Sequence, residues 1–396
     1  MGGHVLSAPN LPPHRQAETT PHLASPQGGR DWGAKTQAPV KPYDIRRTSS
    51  TVFDIMIHIS TSFQSLMQRG CDFLGTELAI LGGAMSWVSE RHLVAAISNG
   101  GGFGVIACGS MPPALLRTEI QATKALTAKP FGVNLITMHP QLDALIDVCL
   151  EEKVGHIVLA GGVPSTPAIK RVKDGGAKLI CFTPAVALGK RLVRMGADAL
   201  VIEGMEAGGH IGPVSTSVLA QEILPAIRDV PVFVAGGIGR GEALLAYLEM
   251  GAAGVQLGTL FVCATESIAH PKFKQAFIRA AARDAVPSVQ LDPRFPVIPV
   301  RALANDATRH FLDKQREVIA RFDRNELSKE AAQLEIEHFW AGALRRAVID
   351  GDVDGGSIMA GQSVGLVTEE KPTAAILADL VHQAEAALRQ RQPVFA

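Results

Sequence analysis

Apolar residues fall along this chain in two alternating rhythms. Short, mostly apolar runs occur at 77–82 (ELAILG), 103–107 (FGVIA), 131–136 (FGVNLI), 155–159 (GHIVL), 178–182 (KLICF), 199–203 (ALVIE), 231–235 (PVFVA) and 254–258 (GVQLG). Strands buried on both faces have this pattern. Between them lie longer stretches with apolar residues at helical spacing. SERHLVAAISN begins at Ser89, PALLRTEIQATKAL at Pro113, TPAVALGKRLVRMG at Thr183 and RGEALLAYLEMG at Arg240. In the first, Ser89 is placed as the N-cap, with Glu90 in the positively polarised first turn. The last stops at Gly251.

Eight strand–helix units predict an α/β fold, a (β/α)8 TIM barrel with additional C-terminal helices. A doubly wound open sheet is the arrangement that local pattern also allows. The additional helices begin near Lys272, Ala304, Leu327 and Pro372. Between the last two lies GDVDGGSIMAGQSVGLV, glycine-rich yet too apolar for a simple linker. It reads as a loop over the barrel mouth, with a structural turn between helices as the alternative. The implied division is a tail at 1–50, a packing segment at 51–72, a barrel core at 73–270 and a helical extension at 271–390, with an active-site loop at 351–367.

Composition narrows the function. The 396 residues suffice for one large barrel with extra elements. Lys plus Arg and Asp plus Glu number 38 each, so charge gives no reason to expect nucleic acid or an anionic membrane as partner. No apolar run reaches the length of a membrane span. Cys71, Cys108, Cys149, Cys181 and Cys263 form no CxxC pair and sit mostly in apolar runs. They read as buried thiols of a reducing, cytoplasmic compartment. No Cys/His cluster has ligand spacing, so no metal site is expected. The first fifty residues, rich in Pro, Gly, Ser and Gln, lack periodicity and are expected to be disordered; they also lack the apolar stretch of a secretory signal.

Candidate chemistry sits at the carboxyl ends of the predicted strands, where barrel sites are built. The seventh strand ends in Gly236 and Gly237, and the eighth in Gly258 and Thr259. Two adjacent glycine-rich strand ends let backbone amides cradle a phosphate. No GxGxxG opens a helix after a strand, so the dinucleotide fingerprint is missing. The sixth strand ends in EGMEAGGHIG: Glu203 and Glu206 flank a turn, and His210 follows Gly208 and Gly209. An imidazole there suits acid–base work near neutral pH. The first strand ends in GGAMSW, whose Met85 and Trp87 either pack on a planar ring or fill the mouth. Asn134 is polar inside an apolar run and needs partners that an amide-rich ligand would supply. Flavin mononucleotide (FMN) fits these features together.

The motifs ILGGAMSWVSERHLVAAISNGGGFGVIACG, KPFGVNLI, EAGGHIG, VAGGI, QLGT and MAGQSVGLV, in this order and spacing, resemble the nitronate monooxygenase (2-nitropropane dioxygenase) family. That family also contains flavin-dependent enoyl-acyl-carrier-protein reductases. The resemblance spans about residues 70–390 and implies an FMN-binding barrel core. It places Ala84, Met85, Asn134 and Glu203 near the flavin, with Gly208 and Gly209 beside them. Gly236, Gly237, Gln256, Leu257, Gly258 and Thr259 fall at the phosphate end, and His210 takes the place of the active-site histidine. It implies either oxidation of alkyl nitronates with O2, the leading expectation, or NAD(P)H-dependent reduction of an enoyl thioester. Some nitronate-oxidising members carry a Lys at the end of the fifth strand; this chain has CFTP there, with Cys181 and Phe182. By analogy with the reductase branch a monovalent cation is an expected accessory, and a homodimer is compatible with the fold.

Overall fold

The computed structural model describes residues 59–391 apart from 297 and 338. The expected tail at 1–50 and the start of the packing segment lie outside the described residues. Eight parallel strands make one sheet: β1 (Ile80–Gly82), β2 (Gly104–Ala107), β3 (Phe131–Ile136), β4 (His156–Ala160), β5 (Lys178–Phe182), β6 (Ala199–Glu203), and, after a two-residue strand β7 (Gly209–His210) outside it, β8 (Val232–Ala235) and β9 (Gly254–Leu257). Their order is β1-β9-β8-β6-β5-β4-β3-β2. The two ends of that order meet. Phe103 N donates to Ile80 O at 2.9 Å, and Gly82 N donates to Phe103 O at 2.9 Å. An open doubly wound sheet would keep its first strand interior; here β1 and β2 close a barrel.

The helices between strands form the outer ring: α2 (Arg91–Asn99), α3 (Pro113–Leu126), α4 (Leu142–Glu151), α5 (Thr166–Asp174), α6 (Val186–Met195), α7 (Thr216–Ile223) and α8 (Gly241–Glu249), preceded by α1 (Thr61–Leu74). Glu90, not Ser89, caps α2, accepting from the amides of His92 and Leu93. Ser89 instead donates to Gly83 O at 2.7 Å and pins the loop after β1. That loop's geometry, rather than helix propensity, decides its role.

Helix α1 packs across the amino-terminal ends of the strands through Phe63, Met67 and Leu74, all fully buried. Gly70 permits the approach, since a Cβ there would fall 2.1 Å from the Ala253 carbonyl oxygen. Beneath the barrel, His156 sits edge-on to Phe73 and Phe103, with Nε2 3.0 Å from Phe73 O.

After β9 come α9 (Thr259–Val262) and α10 (Pro271–Arg279), then β10 (Ala285–Pro287), β11 (Val300–Leu303), α11 (Asp306–Asp323), α12 (Lys329–Glu337), α13 (Phe339–Arg345) and α14 (Thr373–Arg391). The helix expected from Lys272 ends at Arg279, and a short antiparallel sheet, β10-β11-β7, follows. The helix expected from Leu327 is described as α12 and α13 on either side of residue 338, and it ends in a π-turn at 346–350. Phe295, Phe311, Val318, Ala332 and Ile336 give this lobe its own small core.

Candidate active site

The sheet register brings the expected mouth residues together. Gln256 pairs with Ala235, and Ala235 with Glu203. Paired residues of parallel strands project to the same side, so Gln256 and Glu203 share one face of the barrel end. Both are half-buried. No hydrogen bond to the Glu203 carboxyl occurs among the described residues, and burial pushes it up to about 7. A carboxyl in that range exchanges a proton near neutral pH.

Beyond β8, Gly236 and Gly237 take φ of 103° and 70°. At Gly236 a Cβ would also fall 2.7 Å from Thr216 Oγ1, so a side chain is excluded twice over. These glycines line a cavity of about 390 Å³ with Glu206, Tyr247, Ala281 and Ser363. Leu257 is buried, and its carbonyl accepts from Gly83 N at 2.7 Å, tying the end of β9 to the loop after β1. That loop brings Met85 over Gly258, where a Cβ would lie 3.5 Å from the Met85 Sδ. Ala84 and Met85 are half-buried.

Asn134 is 6% exposed on β3, and its Oδ1 has no hydrogen-bond partner among the described residues. A buried acceptor without a donor is costly unless a ligand completes it. Thr137 Oγ1, just past the same strand, is in the same state.

Two polar residues at the mouth make contacts within the protein. Thr259 Oγ1 accepts from Gly361 N at 3.1 Å. Glu206 turns to helix α7, its carboxylate accepting from Thr216 N at 2.9 Å and Thr216 Oγ1 at 2.8 Å. Both residues hold the protein together at the mouth. Gln362 N donates to Glu206 O at 2.9 Å, so the expected active-site loop is a strap fastened across the ends of β6 and β9. Gly208 makes room for it, since a Cβ there would stand 2.6 Å from Gly361 N.

His210 lies on β7, exposed, opposite Val300 of β11. Gly209, before it, pairs with Arg301. The hydrophobic pattern does not announce β10 and β11, which are three and four residues long and separated by a proline-rich run. Arg301 is therefore a residue that sequence reasoning missed. It is 2% exposed and donates to Met205 O at 2.9 Å and to Ala285 O at 2.5 Å, joining the His210 loop to the small sheet. Its only sequence signal is a cation inside the apolar run VIPVRAL.

All five cysteines are buried and unpaired. Among the described residues no group of His, Cys, Asp and Glu is placed to hold a metal, and no helix is long and apolar enough to cross a membrane.

The family model for nitronate monooxygenase matches residues 68–145 and 140–383. The solved structure of FabK from Thermotoga maritima aligns with a TM-score of 0.73 at 37% identity, covering 81% of this chain and 97% of that one. A Rhodococcus jostii protein described as (3aS,4S,5R,7aS)-5-hydroxy-7a-methyl-1-oxo-octahydro-1H-indene-4-carboxyl-CoA dehydrogenase is 34% identical over 59% of this chain. That match spans 65% of the relative's length, less than two thirds. A nitronate monooxygenase of Paraburkholderia phytofirmans is 28% identical over 80% of this chain and 95% of its own. The chain belongs to the nitronate monooxygenase family of oxidoreductases, which includes the FabK-like flavin enoyl reductases.

Proposed function

We propose that this chain is an FMN-dependent reductase that passes a hydride from NAD(P)H to the β-carbon of an enoyl thioester, while a proton is added at the α-carbon. The observation that carries the cofactor assignment is the buried, donorless Oδ1 of Asn134. It would accept from the imide N–H of a flavin ring. The amides of Gly236, Gly237 and Gly258 would hold the phosphate, and Ala84, Met85 and Gln256 would border the ring. Bound there, FMN supplies two-electron transfer between nicotinamide and substrate.

The protein's own groups manage protons and position. Glu203 exchanges its proton near neutral pH beside the ring site. His210, exposed at the rim on β7, polarises the thioester carbonyl or delivers the α-proton, a contribution typically of about 10²–10⁴-fold. The strap at 358–362 fastens the mouth against water. Support for a thioester substrate comes from identity: 37% to FabK and 34% to a relative named for a carboxyl-CoA, against 28% to the nitronate monooxygenase.

Nitronate oxidation is the second reading, supported by the family model and the Paraburkholderia relative. There His210 would take the α-proton of a neutral nitroalkane. Anaerobic titration of FMN-loaded protein separates the two. NADH or NADPH should bleach the flavin, and a crotonyl thioester should restore its colour. Bleaching by an alkyl nitronate and by neither nicotinamide would favour the second reading. Release of FAD, or no flavin uptake on reconstitution, would overturn both.

A further inference from the structure

The loop after β1 breaks a local rule. Val88 N donates to Met85 O at 3.0 Å, closing a turn over residues 85–88. Its third residue has φ of 68°. Turns of this pattern call for glycine or asparagine there, because a Cβ is strained at positive φ. The residue is Trp87, one of the largest side chains available. It is not held there by burial, being 38% exposed. The turn is held from outside: Met85 N donates to Ser89 Oγ at 3.0 Å, and Ser89 N to Met85 O at 2.8 Å. Strain that the surroundings enforce and packing does not reward points to a ligand.

What faces the indole supports this. The Arg345 guanidinium stands 5.7 Å from the Trp87 ring centroid, brought there from the end of α13. It is half-exposed and spends Nη1 on Asp350 at 3.0 Å. Among the described residues its other donors have no hydrogen-bond partner, and exposed ion pairs of this kind are weak and exchangeable. Arg346 follows, half-exposed, with Nε 3.5 Å from Asp352 and Nη2 donating to Gly355 O at 3.2 Å, an exposed pair of the same weak kind. An aromatic face and the Arg345 guanidinium thus meet at the rim, on the loop that carries Met85 to the mouth, with Arg346 next in sequence.

We propose that Trp87, Arg345 and Arg346 form a clamp for a phosphorylated adenosine, the base lying on the indole and the phosphate on the guanidinium groups. The proposal rests on the thioester reading above. Two reagents of that reaction end in this chemistry, far from their reacting atoms: NADPH in a 2′-phosphoadenosine and coenzyme A in a 3′-phosphoadenosine. A remote anchor of this sort raises local concentration and orients the reacting end.

Calorimetric titration of the FMN-loaded protein with adenosine 2′,5′-bisphosphate and, separately, adenosine 3′,5′-bisphosphate tests the clamp without turnover. Binding of one should weaken roughly 10-fold in Trp87→Gly and in Arg345→Gln. Arg345→Lys should fall between, keeping the charge and losing the planar fork. Trp87→Gly should keep its melting temperature, because glycine relieves the turn. Response to the 2′,5′ compound assigns the clamp to NADPH, and response to the 3′,5′ compound to coenzyme A. In the latter case KM for crotonyl-CoA should rise in both variants, while KM for the crotonyl thioester of N-acetylcysteamine, which lacks adenosine, stays put. If wild type binds neither bisphosphate, or both variants bind as wild type does, the clamp is wrong and the pair is a brace between loop and lobe. Loss of thioester reduction with the calorimetric contrast intact would instead count against the proposed reaction alone.

Discussion

At the scale of single residues, the site is marked by groups that the fold leaves unsatisfied. Asn134 holds a buried acceptor without a donor. Replacing it with Leu removes that cost from the ligand-free protein, so Asn134→Leu should leave its denaturation midpoint unchanged or raised. Flavin affinity should fall by roughly 5–30-fold, the equivalent of about 1–2 kcal/mol, measured by fluorescence titration with FMN. Equal affinity in the variant would remove Asn134 from the site. Glu203 makes a second case. Its folded pKa, about 7, lies above the ordinary carboxyl value of 4.5. The folded state therefore holds the proton more tightly than the unfolded one. Stability from this group is complete below about pH 4.5 and is lost as pH rises to 7. The loss is on the order of 2–3 kcal/mol in ligand-free protein. Chemical denaturation between those values should show that loss in wild type and a flatter profile in Glu203→Gln.

At the scale of elements, the mouth is organised by contacts between segments far apart in sequence. The strap reaches Thr259 through Gly361 and Glu206 through Gln362. Its seat on Gly208 has no room for a methyl group, because the obstructing atoms are backbone. Gly208→Ala should therefore lift the strap while leaving the barrel folded. Limited proteolysis should cut 351–367 several times faster than in wild type, with far-ultraviolet dichroism unchanged. An unaltered cleavage rate would mean that the strap is held elsewhere. The small sheet acts likewise on His210: β7 is only two residues long and takes its position from β11 and from the Arg301 bonds to Met205 and Ala285.

At the scale of the whole molecule, the barrel separates an upper end that carries the candidate site from a lower end closed by α1. His156 belongs to the lower end. It is 6% exposed, and burial pulls its imidazole down to about 4. The neutral ring is the one that folds. Stability is thus present above the unfolded value of about 6.5 and is lost as pH falls through 4, by on the order of 3 kcal/mol. His156→Gln keeps a donor for Phe73 O but cannot titrate. It should cost stability at pH 7, and the gap to wild type should narrow steadily towards pH 4 in urea melts. A constant gap would show that His156 does not drive acid unfolding. Glu203 and His156 act in opposite directions, so their combined effect favours the ligand-free fold at intermediate pH.

The sequence by itself determined the repeating unit, the eight barrel strands to within a few residues, and the glycines at the ends of β8 and β9. Each of these is written in local periodicity and composition or, at Gly236 and Gly237, in a backbone angle that only glycine adopts readily, and such information does not depend on distant residues. Cysteine burial was legible for the same reason. Barrel closure was predicted from the eight units but decided only in the tertiary structure, because it rests on Phe103 bonding to Ile80 and Gly82, a pairing that no local pattern encodes. Not legible were the capture of the Thr259 hydroxyl by Gly361 and the small sheet under His210, which join segments roughly a hundred residues apart. The strained turn at Trp87 and its approach to Arg345 are of the same kind. Composition put polar, aromatic and glycine residues at the mouth; which of them face a ligand and which brace the protein was decided only by packing, since the partner that satisfies each group comes from elsewhere in the chain.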